Sequence, residues 1–225
     1  TEGAGQALRA ENVDPSSIHV TGNTVIDALF ATREILRERP ELASGLDQIA
    51  QRFAGKQIIA VTAHRRENFG QGMENIAAAL RTLSEREDVA VIFPVHPNPN
   101  VRPVMEAALG DRDNVALIEP LDYPHFVRLL EMCDIALTDS GGVQEEAPSL
   151  GKPVLVMRDT TERPEGIDAG TAKLVATDTA RILAETTRLL NDESAYAAMA
   201  HAHNPYGDGR AAERIAAIIA DWHRA

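Results

Sequence analysis

The strongest constraint on this chain is a succession of short apolar runs separated by helical patterns. QIIAVTA (57–63), VAVIFPV (89–95), VALIEP (115–120), DIALT (134–138), PVLVM (153–157) and AKLVA (172–176) are all rich in Val, Ile, Leu and Ala. Runs of this length and composition suit strands buried on both faces, as in a parallel sheet covered by helices. Helices are expected at 73–86, near 100–109, at 123–132, from about Val143 to just before Gly151, and near 179–190 and 193–201. A long aperiodic loop is expected from Arg158 to Gly170. Before the sheet, Thr24 to Glu38 reads as an amphipathic helix through Val25, Ile26, Leu29, Phe30 and Leu36, stopped by Pro40. After it, the turn NPYGDG (204–209) breaks the chain ahead of a helix at about 210–223 carrying Ala211, Ile215, Ile218, Ile219 and Trp222. The fold class is α/β, a doubly wound, mainly parallel Rossmann-like sheet with right-handed crossovers.

Bulk properties narrow the function. The 225 residues are 44% hydrophobic, enough for a real core, and carry a formal net charge of −12. A general nucleic-acid binder needs a basic face, so that class is excluded. An anionic small ligand would require the few cations to be gathered in one place. The lone Cys133 lies in an apolar stretch with no His and acid pattern around it and reads as a buried small hydrophobe. A single thiol fits the cytoplasm, no run is long enough to span a membrane, and the start TEGAGQALRAENV has no signal-peptide core.

In a doubly wound sheet the ligand sits beyond the carboxyl ends of the strands, where strand order reverses. With the common order, the first and fourth strands are neighbours there. The loops that follow them, HRREN (64–68) and DSGG (139–142), then face each other across one crevice. Ser140, Gly141 and Gly142 open a helix whose first amides and dipole favour a diphosphate. Glu146, one turn on, can accept both hydroxyls of a ribose. The plainer alternative is a Gly turn capped by Ser140 or Asp139, with Glu146 in solvent. His64, Arg65 and Arg66 supply cations that would offset a leaving diphosphate; the alternative is a solvated turn with one arginine paired to Glu67. Arg163, in the 158–170 loop, reaches either a phosphate or the sugar, or is held by Glu162 or Glu165. His96, after the second strand, is as well suited to a turn as to a ligand contact. His201, His203 and His223 read as surface residues. No metal-ligand spacing is present, and HRRENFGQG replaces the Gly-rich fingerprint that an NAD site needs.

VTGNTVIDAL, VTAHRREN, FPVHPNPNVR, LTDSGGVQEEAPSLGKPVLVMRDTTERPE and NPYGDG resemble the non-hydrolysing bacterial UDP-N-acetylglucosamine 2-epimerases over nearly the whole chain. The resemblance implies two Rossmann-like domains of GT-B type with the active site between them, this chain being the C-terminal one. It implies interconversion of UDP-N-acetylglucosamine (UDP-GlcNAc) and UDP-N-acetylmannosamine (UDP-ManNAc) by elimination and re-addition of UDP through 2-acetamidoglucal, without NAD or metal. On this likeness His64 assists catalysis, Ser140, Gly141 and Gly142 hold the diphosphate, Glu146 takes the ribose hydroxyls, and Arg163 belongs to the substrate site. Uracil would be held by the backbone near Leu121 and by Phe126. Arg65 and His96 match positions assigned to a second, activating UDP-GlcNAc site. The family suggests a homodimer and polysaccharide biosynthesis as the setting.

The resemblance also implies an N-terminal domain of about 150 residues whose carboxylates perform much of the proton transfer. Residues 1–23 are then the end of that domain and a connector, 24–209 the UDP-binding domain, and 210–225 a helix crossing back. Alone, the chain is expected to bind but not to turn over. The alternatives are a GT-B glycosyltransferase with a UDP-sugar donor, a hydrolysing epimerase, and a non-catalytic UDP-sugar-binding module.

Overall fold

The computed structural model describes residues 1–224. Six parallel strands form its sheet: β1 Gln57–Thr62, β2 Val89–Pro94, β3 Val115–Ile118, β4 Ile135–Thr138, β5 Val154–Val156 and β6 Ala172–Leu174. Their order is β3-β2-β1-β4-β5-β6, so the reversal falls between β1 and β4, as expected. Alternation along each strand divides the apolar residues between two cores. Ile59, Val61, Val91, Phe93 and Leu137 face one, and Ile58, Ala60, Ala90, Ile92 and Ala136 the other. The first core is closed by α4 (Gln71–Leu83), α5 (Arg102–Leu109), α9 (Thr179–Asn191) and α10 (Glu193–Ala200), through Met73, Ile76, Leu80, Met105, Ile182 and Met199. The second is closed by α6 (Tyr123–Met132) and α7 (Gly141–Ser149), through Leu129, Leu130, Val143 and Ala147. Full burial of each such large apolar side chain is worth about 1.5–3 kcal/mol relative to exposure. Cys133 is fully buried here, its thiol pushed up to about 12 by that burial, so it serves as packing.

Outside α6 lies α2 (Thr24–Glu38), joined to it by Leu29, Leu36, Ala43 and Val127. Helix α11 (Ala211–Trp222) packs on α2, and the Asp27 carboxylate caps it by accepting from the Ala211 and Ala212 amides at 3.1 and 2.8 Å. The turn leading into α11 depends on Gly209, whose φ is +81° and whose added Cβ would meet Phe30 Cδ2 of α2 at 2.5 Å. Gly209→Ala is therefore expected to destabilise by about 3 kcal/mol, combining left-handed strain with overpacking. Urea titration would check this; a loss within error of zero would contradict it.

Two stretches without a predicted element carry one, and one expectation, the aperiodic 158–170 loop, needs correction. The polar start forms a helix, α1 (Glu2–Ala10), capped by the Thr1 side chain, which accepts from the Ala4 amide. Residues Pro40–Leu46 form 3-10 turns that run into α3 (Asp47–Arg52). The 158–170 segment contains α8 (Pro164–Asp168), opened by Pro164 at its first position. Elements this short give too few turns for a 3.6-residue pattern to be read. Helices predicted at 73 and 143 begin two residues earlier, at Gln71 and Gly141, and the last helix spans Ala211–Trp222. The final residue of the 210–225 segment lies outside the described residues. No helix among the described residues is long and apolar enough to cross a membrane.

Candidate functional site

Because β1 and β4 pair directly, the segments leaving their carboxyl ends meet. Thr62 and Thr138 stand in register with their hydroxyls 2.5 Å apart. The next residue, Asp139, is fully buried and turned toward the β1 loop. Its Oδ2 accepts from the amides of His64 and Arg65, both at 2.8 Å, and from Asn68 Nδ2 at 3.1 Å. Asn68 also donates to the Met157 carbonyl, which ties in the end of β5. One carboxylate thus sets the path of the HRREN loop. Asp139 Oδ1 is buried without a hydrogen-bond partner; His64 Nδ1 stands 3.5 Å away. The His64 side chain is 44% exposed, and its ring stacks on His96 with centroids 5.7 Å apart. His96 Nδ1 accepts from the Asn98 amide at 3.1 Å, the turn role that the sequence allowed.

Ser140 caps α7 in an extended conformation with no side-chain cap bond, and Gly141 and Gly142 form its first two positions. The first amides of a helix have no intrahelical acceptor. A Cβ on Gly141 would lie 3.7 Å from Arg65 Nη2 and 3.9 Å from Arg163 Nη2. Two guanidinium groups therefore converge over the positive end of α7. Arg65 Nε is buried with no partner among the described residues. In a chain of net charge −12, two guanidinium groups beside a helix N-terminus are an arrangement suited to an anion, although Arg163 also pairs with Glu145. Arg65 thus shares the α7 terminus with Arg163.

The plainer alternatives hold in part, with Ser140 as the N-cap of α7 and Arg163 in an ion pair, but several partners differ from those expected. Arg163 pairs with the buried Glu145, not with Glu162 or Glu165. Glu165 instead accepts from the Thr1 hydroxyl at 2.6 Å. Glu67 pairs with Arg158 at 2.5 Å and not with an arginine of its own turn, while Arg66 is exposed. Glu146 is 6% exposed, not solvated, and accepts from Tyr123 Oη at 2.7 Å. Burial pushes its carboxyl above the usual range, with the Tyr123 hydrogen bond acting against that shift and the charge of Glu145 adding to it. Leu121 and Phe126 are half-buried around the start of α6, packed against the second core beside Tyr123.

Sequence reasoning missed Asp139 as an organiser, and missed Arg158 and Tyr123 altogether. Arg158 is buried at the end of β5, donating to Glu67 and at 2.5 and 3.0 Å to Glu162. It straps the β5 loop to the β1 loop. Its hydrogen bonds hold Glu162 at about 2, below the ordinary glutamate value of 4.5. A carboxyl lowered on folding contributes stability that is present above its unfolded value and lost as pH falls through the folded one. The Tm difference between the protein and Arg158→Gln should therefore be steady above pH 5 and narrow between pH 4.5 and 2. A difference independent of pH would show that the strap does not act through Glu162.

Fold and site together define a doubly wound α/β domain with two guanidinium groups at a helix N-terminus beside its switch point and a buried acid one helical turn inside. The profile of the UDP-N-acetylglucosamine 2-epimerase family matches residues 1–220. The chain belongs to that family. It is 52% identical over 220 residues to the UDP-N-acetylglucosamine 2-epimerase of Escherichia coli K12, covering 96% of this chain and 58% of that protein. Among solved structures it resembles the Neisseria meningitidis UDP-GlcNAc 2-epimerase bound to UDP-GlcNAc, with TM-score 0.90 and 43% identity over 98% of this chain and 60% of that one. The S. aureus MnaA–UDP co-structure gives TM-score 0.89 and 43% identity, covering 100% and 60%. The chain spans about three fifths of the length of the curated relatives it matches, 59% for the Ralstonia nicotianae protein.

Proposed function

We propose that this chain is the UDP-binding half of a UDP-GlcNAc 2-epimerase that interconverts UDP-GlcNAc and UDP-ManNAc. The observation that carries the reading is the pair of guanidinium groups, Arg65 and Arg163, poised over Gly141, with Glu146 one turn further along α7. The diphosphate lies on Ser140, Gly141 and Gly142, and the ribose hydroxyls reach Glu146. The uracil lies by the Leu121 backbone and Phe126. In the reaction, removal of the C2 proton accompanies cleavage of the C1–O bond, whose electron pair leaves with UDP. The resulting 2-acetamidoglucal regains UDP at C1 and a proton on the other face of C2. Arg65 and Arg163 offset the charge that gathers on the departing diphosphate. His64, whose Nδ1 stands 3.5 Å from Asp139 Oδ1, assists the reaction by holding or moving a proton.

The remaining acids and bases come from the part of the relatives that this chain does not match, so the chain alone binds and does not turn over. In this reading 24–209 is the nucleotide domain, 1–23 the end of a preceding domain and its connector, and 210–225 carries the helix that crosses back. The assembled enzyme is a cytoplasmic homodimer feeding polysaccharide biosynthesis. A second UDP-GlcNAc at Arg65 and His96 would share a wall with the first, because His96 stacks on His64.

Calorimetric titration of the chain with UDP, with NAD as control, tests the reading. Saturable binding of UDP alone is the expected result. Equal binding of both nucleotides, or of neither, would overturn it.

A further inference from the structure

We propose that Tyr123 is a positioning residue for Glu146, and that through it the site distinguishes a ribose from a 2′-deoxyribose. The inference rests on the nucleotide reading above and extends it to a side chain outside the crevice loops. Tyr123 is the first residue of α6, following β3, while Glu146 lies on α7, following β4. The fold brings them together across 23 residues of sequence, with Tyr123 Oη donating to Glu146 Oε1 at 2.7 Å. Glu146 is almost fully buried, whereas Tyr123 is 36% exposed at the rim.

A buried carboxylate has about four lone-pair directions to satisfy. The tyrosine hydroxyl takes one on Oε1. Oε2 lies on the Gly142 side, 3.7 Å from where a Cβ on that glycine would stand, and so faces the helix end proposed to hold the diphosphate. The neighbouring acid Glu145 is turned away, paired with Arg163. Fixing one oxygen in this way removes the freedom of the carboxylate to rotate about its last bond. Two vicinal hydroxyls can then be met without a further ordering cost. Burial holds the tyrosine proton on its oxygen, the bond to ionised Glu146 adding to the same effect, so Tyr123 acts as a donor. A deoxyribose offers one hydroxyl fewer, leaving the fixed carboxylate short of a donor, which is how a polar site rejects an analogue lacking a hydroxyl.

The test compares UDP and 2′-deoxy-UDP binding by calorimetry in the protein, Tyr123→Phe, Glu146→Ala and the double variant. The protein is expected to prefer UDP by about tenfold or more. Tyr123→Phe should weaken UDP about tenfold, change 2′-deoxy-UDP far less, and have no further effect on a Glu146→Ala background. A merely structural role would weaken both nucleotides together. If UDP binds but Tyr123→Phe leaves the preference intact, or acts additively with Glu146→Ala, the nucleotide reading stands and the role of Tyr123 falls. If the unsubstituted protein binds neither nucleotide, the nucleotide reading falls and this inference with it. The phenylalanine keeps the ring, and equal melting temperatures would separate lost recognition from lost folding.

Discussion

Asp139→Ala is expected to lower stability by about 4 kcal/mol and to abolish UDP binding. The carboxylate is fully buried, and its loss strands the amides of His64 and Arg65 and the side-chain amide of Asn68. Each unpaired donor costs about 1–3 kcal/mol when it cannot turn to water. The His64 side chain is partly exposed, so the two backbone amides recover some solvation and the sum stays below the maximum. For a domain of this size such a loss corresponds to a fall in Tm of roughly 10 °C. Asp139→Asn should cost about half as much, because the amide oxygen can still accept from the two backbone groups. It should still impair binding, since the new amino group takes the place of Oδ1 and sets a donor against His64 Nδ1, 3.5 Å away. Thermal melts of both variants, followed by UDP titration, would check the order. Equal stability in the protein and the alanine variant would mean that the HRREN loop is organised by something other than Asp139.

That residue shows where sequence reasoning stops. The six strands were readable because each is a continuous apolar run, a local signal, and the crevice was readable because strand order follows from a general rule. HRREN and DSGG were then recognisable by residue type alone. Asp139 sits between a strand and two glycines, so locally it reads as a helix cap. Its partners lie 71 to 75 residues away and become visible only when β1 and β4 are paired. Arg158 has the same history, appearing to belong to a solvated loop until its two glutamates are placed around it. The run QEE on α7 looks like an exposed polar face. It is buried because Thr161, Arg163, Asn23 and Tyr123 arrive from other elements to satisfy Gln144, Glu145 and Glu146. Such buried polar clusters carry no periodicity, and only the assembled fold determines which donors reach them.

Glu146→Gln is expected to raise the stability of the unliganded chain at pH 7 while weakening UDP binding roughly tenfold to a hundredfold, as replacing a charged acceptor by a neutral one implies. Burial raises the Glu146 carboxyl above its ordinary value. A group raised on folding binds its proton more tightly in the folded state, so the folded chain is favoured at low pH and loses that advantage as pH rises through the folded value. Above it, the ionised side chain is a cost that glutamine does not carry. Glutamine also keeps an oxygen for Tyr123 to donate to, so the packing and the hydrogen bond survive. The gain in Tm should accordingly be largest near neutrality and shrink as pH falls toward the ordinary glutamate value of 4.5. Opposite signs for stability and affinity are what a residue retained for its ligand should show. A variant that melts earlier and binds less well would mark Glu146 as part of the scaffold. One that melts later and binds UDP unchanged would place the ribose elsewhere in the crevice.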